Sequence, residues 1–272
     1  MSDRYDFNIE GAARLVISLP SGDVEVFENE GGIHVSLSGK TDGVTVEQSG
    51  NTVSITSEKK ASSFFVASSV RAAIGVPPGC DLEVTGASLD LVSRQRLGVV
   101  RARTASGDIR ITEATELTAK TASGEIRFDV VLGDCDVAAA SGDLVGDLVG
   151  GDLRASLASG DVRIGRVDGD ISVKSASGDA HFDCANGDDI GIRSMSGDIT
   201  VGLPTGIKLD FDLDALSGDV FLPPPAAPLP PPPQHPDHES SGAGWVDEPE
   251  RKRSVRLHAK TVSGDIHVER AV

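Results

Sequence analysis

Apolar residues recur at every second position in short runs along most of this chain: Val162 and Ile164 follow Gly160, and Ile171 and Val173 follow Gly169. A two-residue period sends successive side chains to opposite faces of an extended strand, and no helical stripe competes with it. Each run stops at a glycine followed by an acid. The pattern therefore predicts many short strands separated by tight corners.

The corners are periodic. Ser-Gly followed by Asp or Glu occurs nine times, with its glycine at Gly22, Gly107, Gly124, Gly142, Gly160, Gly178, Gly197, Gly218 and Gly264. From Gly107 to Gly197 the steps are 17, 18, 18, 18 and 19 residues, and further Gly-Asp pairs at Gly133, Gly151, Gly169 and Gly187 fall nine residues after the preceding Ser-Gly glycine. Nine residues hold one strand and one corner but not a helix. The fold class expected is all-β: a single-stranded parallel β-helix, or β-solenoid, with about 18 residues per rung, two strands and two corners. The general crossover rule makes it right-handed.

Stacking such rungs turns the repeat into columns. Two and four residues past each glycine stand Ile109 and Ile111, Ile126 and Phe128, Val162 and Ile164, Ile199 and Val201, and Val220 and Leu222, which should point inward. One past it stand Asp108, Glu125, Asp143, Asp161, Asp179, Asp198, Asp219 and Asp265. Neighbours in this acidic column lie about 4.8 Å apart and repel by about 1 kcal/mol in water, so the column needs compensation. Bases flank it three past the glycine (Arg110, Arg127, Arg163) and four before it (Arg103, Lys120, Lys174, Arg193, Lys260), predicting lateral pairing from both sides. With Ser and Asp side chains bonding corner amides, the motif reads as a turn and not as chemistry. Gly107, Gly124, Gly142, Gly160, Gly178, Gly197, Gly218 and Gly264 form the structural turn column. The opposite corner, with Asp134, Asp152, Asp170 and Asp188, has fewer basic companions and is the candidate edge for weak divalent cations.

The grammar divides the chain into irregular N-terminal rungs at 1–98, regular rungs at 99–222, and a final rung at 254–272. Between the last two, residues 223–253 open with PPPAAPLPPPPQHP, holding nine of the fourteen prolines, and read as a flexible loop. Its Trp245 is a candidate partner contact; His235 and His238 make a weak case for metal in a segment that must be ordered first. Phe64 and Phe65 read as a cap over one end of the core.

Composition narrows the function. A formal net charge of −17 disfavours nucleic acid and anionic membrane surfaces. No apolar run reaches the length of a membrane span or a signal peptide, so a cytoplasmic location without membrane insertion is expected. Cys80, Cys135 and Cys184 are too far apart for a metal or redox pair and read as buried reduced thiols. A motif repeated nine times is the opposite of a catalytic site, which gathers unlike residues once, so no enzyme activity and no cofactor are expected.

The recurring [ST]-A-S-G-D-[IV]-x-[IVF] units, the LPSGDVEV segment near the start, and the VPPGCDLEV and LPTGIKLDF segments resemble the bacterial putative-adhesin β-strand-repeat family. The resemblance covers nearly the whole chain outside 223–253. It implies a parallel β-helix without catalytic residues, among relatives associated with the cell envelope or envelope-stress systems. The leading expectation is a non-catalytic scaffold that binds a partner protein. The alternatives are a surface adhesin-like module reached by non-standard export and a solenoid weakly holding divalent cations along its acidic edge.

Overall fold

The computed structural model describes residues 3–57, 70–205, 207–223 and 254–271. Among them every regular element is a strand, and no helix is long and apolar enough to cross a membrane. The chain coils as a parallel β-solenoid with two walls. The leading wall, before each Ser-Gly corner, contains Cys135–Ser141, Leu153–Ser159, Ile171–Ser177 and Asp189–Ser196. The trailing wall, after it, contains Ile126–Val131, Leu144–Val149, Val162–Val167, Ala180–Ala185 and Ile199–Leu203. Pairing is parallel and in step with the repeat: Leu144 faces Val162 and Val162 faces Ala180, while Leu153 faces Ile171 and Ile171 faces Ile190.

Alternation makes the core. The residues two and four past each corner glycine are buried through the regular rungs, packed against Val137, Ala155, Val173 and Ile192 of the other wall. Large and small residues compensate from rung to rung. At Gly146 a β-carbon would lie 2.2 Å from Cζ of Phe128, so the glycine leaves the space that the ring fills. Burial pushes the thiols of Cys80 and Cys135 up to about 12, which keeps them protonated and unreactive; Cys184, expected to be buried as well, is only half-buried, because the alternation of its strand breaks there and leaves it on an outward-facing position.

The N-terminal end departs from simple coiling. Arg14–Glu28 and Asp81–Ser106 pair in parallel and continue both walls. Beyond them, Val44–Ser49 pairs antiparallel with Thr52–Ser57, Ile33–Gly39 with Val70–Val76, and Asp3–Phe7 with Ile33–Gly39. For the first of these pairs the cause is local: the turn through Gly50, at φ +59°, is so short that only antiparallel neighbours can be joined across it. The result closes this end of the core.

The C-terminal end departs in its order. Ser254–Ser263 pairs with Asp189–Ser196 on one side and Lys208–Ser217 on the other, so the last segment of the sequence sits inside the stack and residues 208–221 form the outermost layer. The spacing allows this. Gly197 and Gly218 are 21 residues apart instead of 18, and the extra residues carry the chain across two strand spacings, about 9.6 Å, instead of one. Leu257, Ala259, Ile266 and Val268 are consequently buried, while Leu209, Phe211 and Leu213 are half-covered.

Among the described residues one buried side chain is unsatisfied. Where Asp81–Ser106 pairs with Ile109–Ser123, the register slips between Ser93 and Arg96, and the bulge turns Gln95 inward. Gln95 is 4% exposed, and neither its Nε2 nor its Oε1 has a hydrogen-bond partner. Gln95→Met keeps the volume and removes the stranded amide, so it is expected to stabilise the fold by about 1 kcal/mol. Urea unfolding checks this: the midpoint should rise at unchanged slope, and a fall would show that the amide is satisfied in solution.

Candidate functional site

The Ser-Gly-Asp corners lie directly over one another. Gly107, Gly124, Gly142, Gly160, Gly178, Gly197, Gly218 and Gly264 have φ between +124° and +150°, which side chains rarely adopt. The acid after most of these glycines does a backbone task. Asp143 Oδ1 accepts the amide of Asp161 at 2.9 Å, Asp161 Oδ1 that of Asp179 at 2.9 Å, and Asp179 Oδ1 that of Asp198 at 2.9 Å. The ladder follows the spatial order of the layers: Asp198 accepts from Asp265 at 2.8 Å, and Asp265 accepts from Asp219 at 2.8 Å. Asp81, outside the repeat grammar, serves Val99 N in the same way at 2.8 Å.

The bases that compensate this column come from one side. Arg110 reaches Asp108 at 3.0 Å, Arg127 reaches Glu125 at 2.6 Å, and Arg163 reaches Asp161 at 2.6 Å. All three arginines belong to the trailing wall, and Arg103, Lys120, Lys174 and Arg193 make no ion pair with any described residue. The expectation of pairing from both sides is corrected accordingly. The four-before position lies on the leading wall, four residues of extended chain short of the bend, so its side chains project from a different face.

The opposite corner repeats the device. Asp134 Oδ1 accepts Asp152 N at 3.0 Å, Asp152 Oδ1 accepts Asp170 N at 3.0 Å, and Asp170 Oδ1 accepts both Asp188 N at 3.1 Å and Asp189 N at 2.9 Å. Asp152 also meets Arg154 at 3.1 Å, and Asp168 meets Arg166 at 2.7 Å. These aspartates are gathered into one column, and Asp134, Asp152 and Asp170 each have an oxygen committed to the next rung. Among the described residues no group of three or more His, Cys, Asp or Glu is placed to hold a metal ion. Trp245, His235, His238, Phe64, Phe65 and almost all of the 223–253 loop lie outside the described residues.

The outer face of the leading wall carries two columns that the motif obscures. The first runs Arg103, Lys120, Ala138, Ser156, Lys174, Arg193, Lys260 and Asp214 from layer to layer, each paired in register with the next. Asp212, nearby in the outermost layer, is held below the usual carboxylate range by its hydrogen bond with His258 and then by the charge of Lys260. The second column, two before the glycine, is exposed alanine at 105, 122, 140, 158 and 176, then Met195, Val262 and Leu216 in the last three layers. Met195 is 63% exposed and Leu216 80%. Around the corner Val220 and Leu222, expected to point inward, are instead exposed, because they lie in the outermost layer with no described strand stacked beyond it; Phe221 is exposed too, stacked on His267 at 4.5 Å. The apolar ridge was missed in the sequence because it is assembled from layers whose spatial order differs from their chain order.

Comparison with known proteins follows the fold. The Toastrack DUF4097 family model matches residues 12–269. No curated protein matches the chain. A crystal structure from Bacteroides fragilis described as a putative adhesin is 11% identical, covering 98% of this chain and 97% of that one, with a TM-score of 0.48. A structure from Parabacteroides distasonis described as a putative lipid binding protein is 13% identical over 99% and 94% of the two chains, with a TM-score of 0.41. Another from that organism, described as a putative adhesin, is 9% identical over 98% and 96%, with a TM-score of 0.38.

Proposed function

The chain belongs to the Toastrack DUF4097 family, and from that premise we propose that it is a non-catalytic binding scaffold that docks a partner protein on the C-terminal end of its solenoid. The observation that carries this reading is the replacement of the exposed alanine column by Met195, Val262 and Leu216 in three adjacent layers, beside exposed Phe221 and Leu222. A contiguous apolar ridge on a rigid sheet corner, in a chain otherwise rich in surface charge, marks a protein contact. Polar and charged side chains at the corners are already engaged with backbone amides and with each other, which supports a structural role for them instead of catalysis.

A photo-crosslinking residue at position 216 or 195, compared with one at 127 on the other wall, tests the proposal. One adduct is expected from the ridge and absent from the control, and its purified partner should bind the wild-type chain about 10-fold more tightly than the Met195→Ser/Val262→Ser/Leu216→Ser variant, since anchors in a contact centre dominate affinity. Equal labelling at all three positions, or equal affinity of the variant, overturns it. The family resemblance favours a partner in an envelope-stress system, and the reading is of a cytoplasmic protein. Recovery of the native protein from the cell exterior would replace it with a surface module.

A further inference from the structure

The strongest unexplained feature of the surface is a row of cations on a protein of net charge −17. Lys174, Arg193 and Lys260 stand directly opposite one another on three adjacent strands. Like charges in that relation destabilise a sheet. Lys174 and Arg193 have no carboxylate partner among the described residues, and Lys260 only approaches Asp212 and Asp214, both at 3.9 Å. By contrast, Arg110, Arg127 and Arg163 on the trailing wall are each neutralised.

The row borders a groove of about 470 Å³. Lys174, Arg193 and Lys260 form one rail and Asp152, Asp170 and Asp189 the other, with Ser172 and Gly191 on the floor between them. Gly191 is unlike the corner glycines. Its φ is not positive, and a β-carbon there would meet only Ile171 O, at 3.7 Å. Neither backbone nor packing demands glycine, and the missing side chain leaves the floor open. Across a two-layer gap at Ala138 and Ser156 the row resumes with Lys120 and Arg103, beside a second trough of about 770 Å³.

We propose that this groove binds a linear acidic polysaccharide, a chain of uronate type, lying along the solenoid axis. Cations repeat at the strand spacing, about 4.8 Å, and would meet one carboxylate per sugar ring. The acidic rail accepts hydrogen bonds from the hydroxyls that such a chain carries and that an inorganic polyphosphate lacks. Width decides against broader anions. The acidic corners lie about 13 Å or more to either side of the row, four or five residues along the strand. A bilayer or a nucleic-acid duplex laid on the wall would meet both rims, whereas a single polymer chain lies between the row and the near rail and never reaches the far rim. Screening over about 8 Å then hides the rest of the negative surface from it. The site is separate from the apolar ridge, so either proposal can fail without the other.

The test is titration of the full chain with labelled oligogalacturonate hexamer in EDTA, beside a neutral maltohexaose, an inorganic polyphosphate and phosphatidylglycerol vesicles. Oligogalacturonate should bind, weaken steeply between about 50 and 200 mM salt, and exceed polyphosphate and maltohexaose. Lys174→Ala/Arg193→Ala/Lys260→Ala should weaken it about 10-fold or more, and Gly191→Gln, which fills the floor without strain, several-fold. Arg110→Ala/Arg127→Ala/Arg163→Ala, removing the same charge from the other wall, should leave affinity within about twofold. Absence of binding at low salt, equal loss in the two triple variants, or preference for polyphosphate or vesicles overturns the proposal.

Discussion

Gly160→Ala is expected to cost more than about 4 kcal/mol, enough to prevent this chain from accumulating in folded form. Two effects add. The residue sits at φ +126°, and a β-carbon there would lie 2.2 Å from the carbonyl oxygen of Gly142 in the layer below. That neighbour is backbone, so relief requires the layers to part. Parting them would break the corner bonds from Gly142 N to Ser159 O at 3.1 Å and from Leu144 N to Asp161 O at 2.8 Å. Because each rung contacts only its neighbours, a lesion in the middle separates the stack into two blocks. Gly218→Ala meets Gly264 O at 2.0 Å but lies in the outermost layer, so it should fray only that end. Gly50→Asn is the contrast: φ is +59° and nothing lies within 4 Å, so its cost should stay near 1 kcal/mol. Urea unfolding of the three variants checks the order, and a Gly160→Ala protein as stable as wild type would remove the stacking account.

Asp161→Ala should cost about 1–2 kcal/mol, while Asp161→Asn should cost less than about 1 kcal/mol. Alanine deletes the acceptor of Asp179 N, at 2.9 Å, and the partner of Arg163, at 2.6 Å. Asparagine keeps the oxygen that the amide needs and loses only an ion pair that is partly exposed to water. Circular dichroism melts of both variants, with Asp161→Ala/Arg163→Ala to isolate the pair, measure the split. Were asparagine as damaging as alanine, the negative charge itself would be the requirement, and a cation at the corner would become the better explanation of the repeat.

The rung was legible in the letters. Alternation in Val162, Ile164, Ile171 and Val173 depends only on local strand geometry, and the 18-residue step places each Ser-Gly-Asp over the next without reference to anything distant. The candidate surfaces were less legible. Lys174, Arg193 and Lys260 could be read as a column, but whether they neutralise the corner acids depends on which way each side chain leaves the bend. Met195, Val262 and Leu216 form a ridge only because 254–263 lies between 189–196 and 208–217.

By itself the sequence determined the repeating unit: strand, corner, strand, corner, with inward residues and corner glycines assigned, because each rung meets a near copy of itself and the pattern is self-consistent at short range. Tertiary structure alone decided the order of the last layers, the antiparallel closure at the start, and the side from which the bases reach the acids. Near-identical rungs offer one another almost the same ladder of hydrogen bonds, so local preference cannot rank their order. What separates the alternatives is the length of the connections and the burial of whole faces, which exist only once the coil has closed.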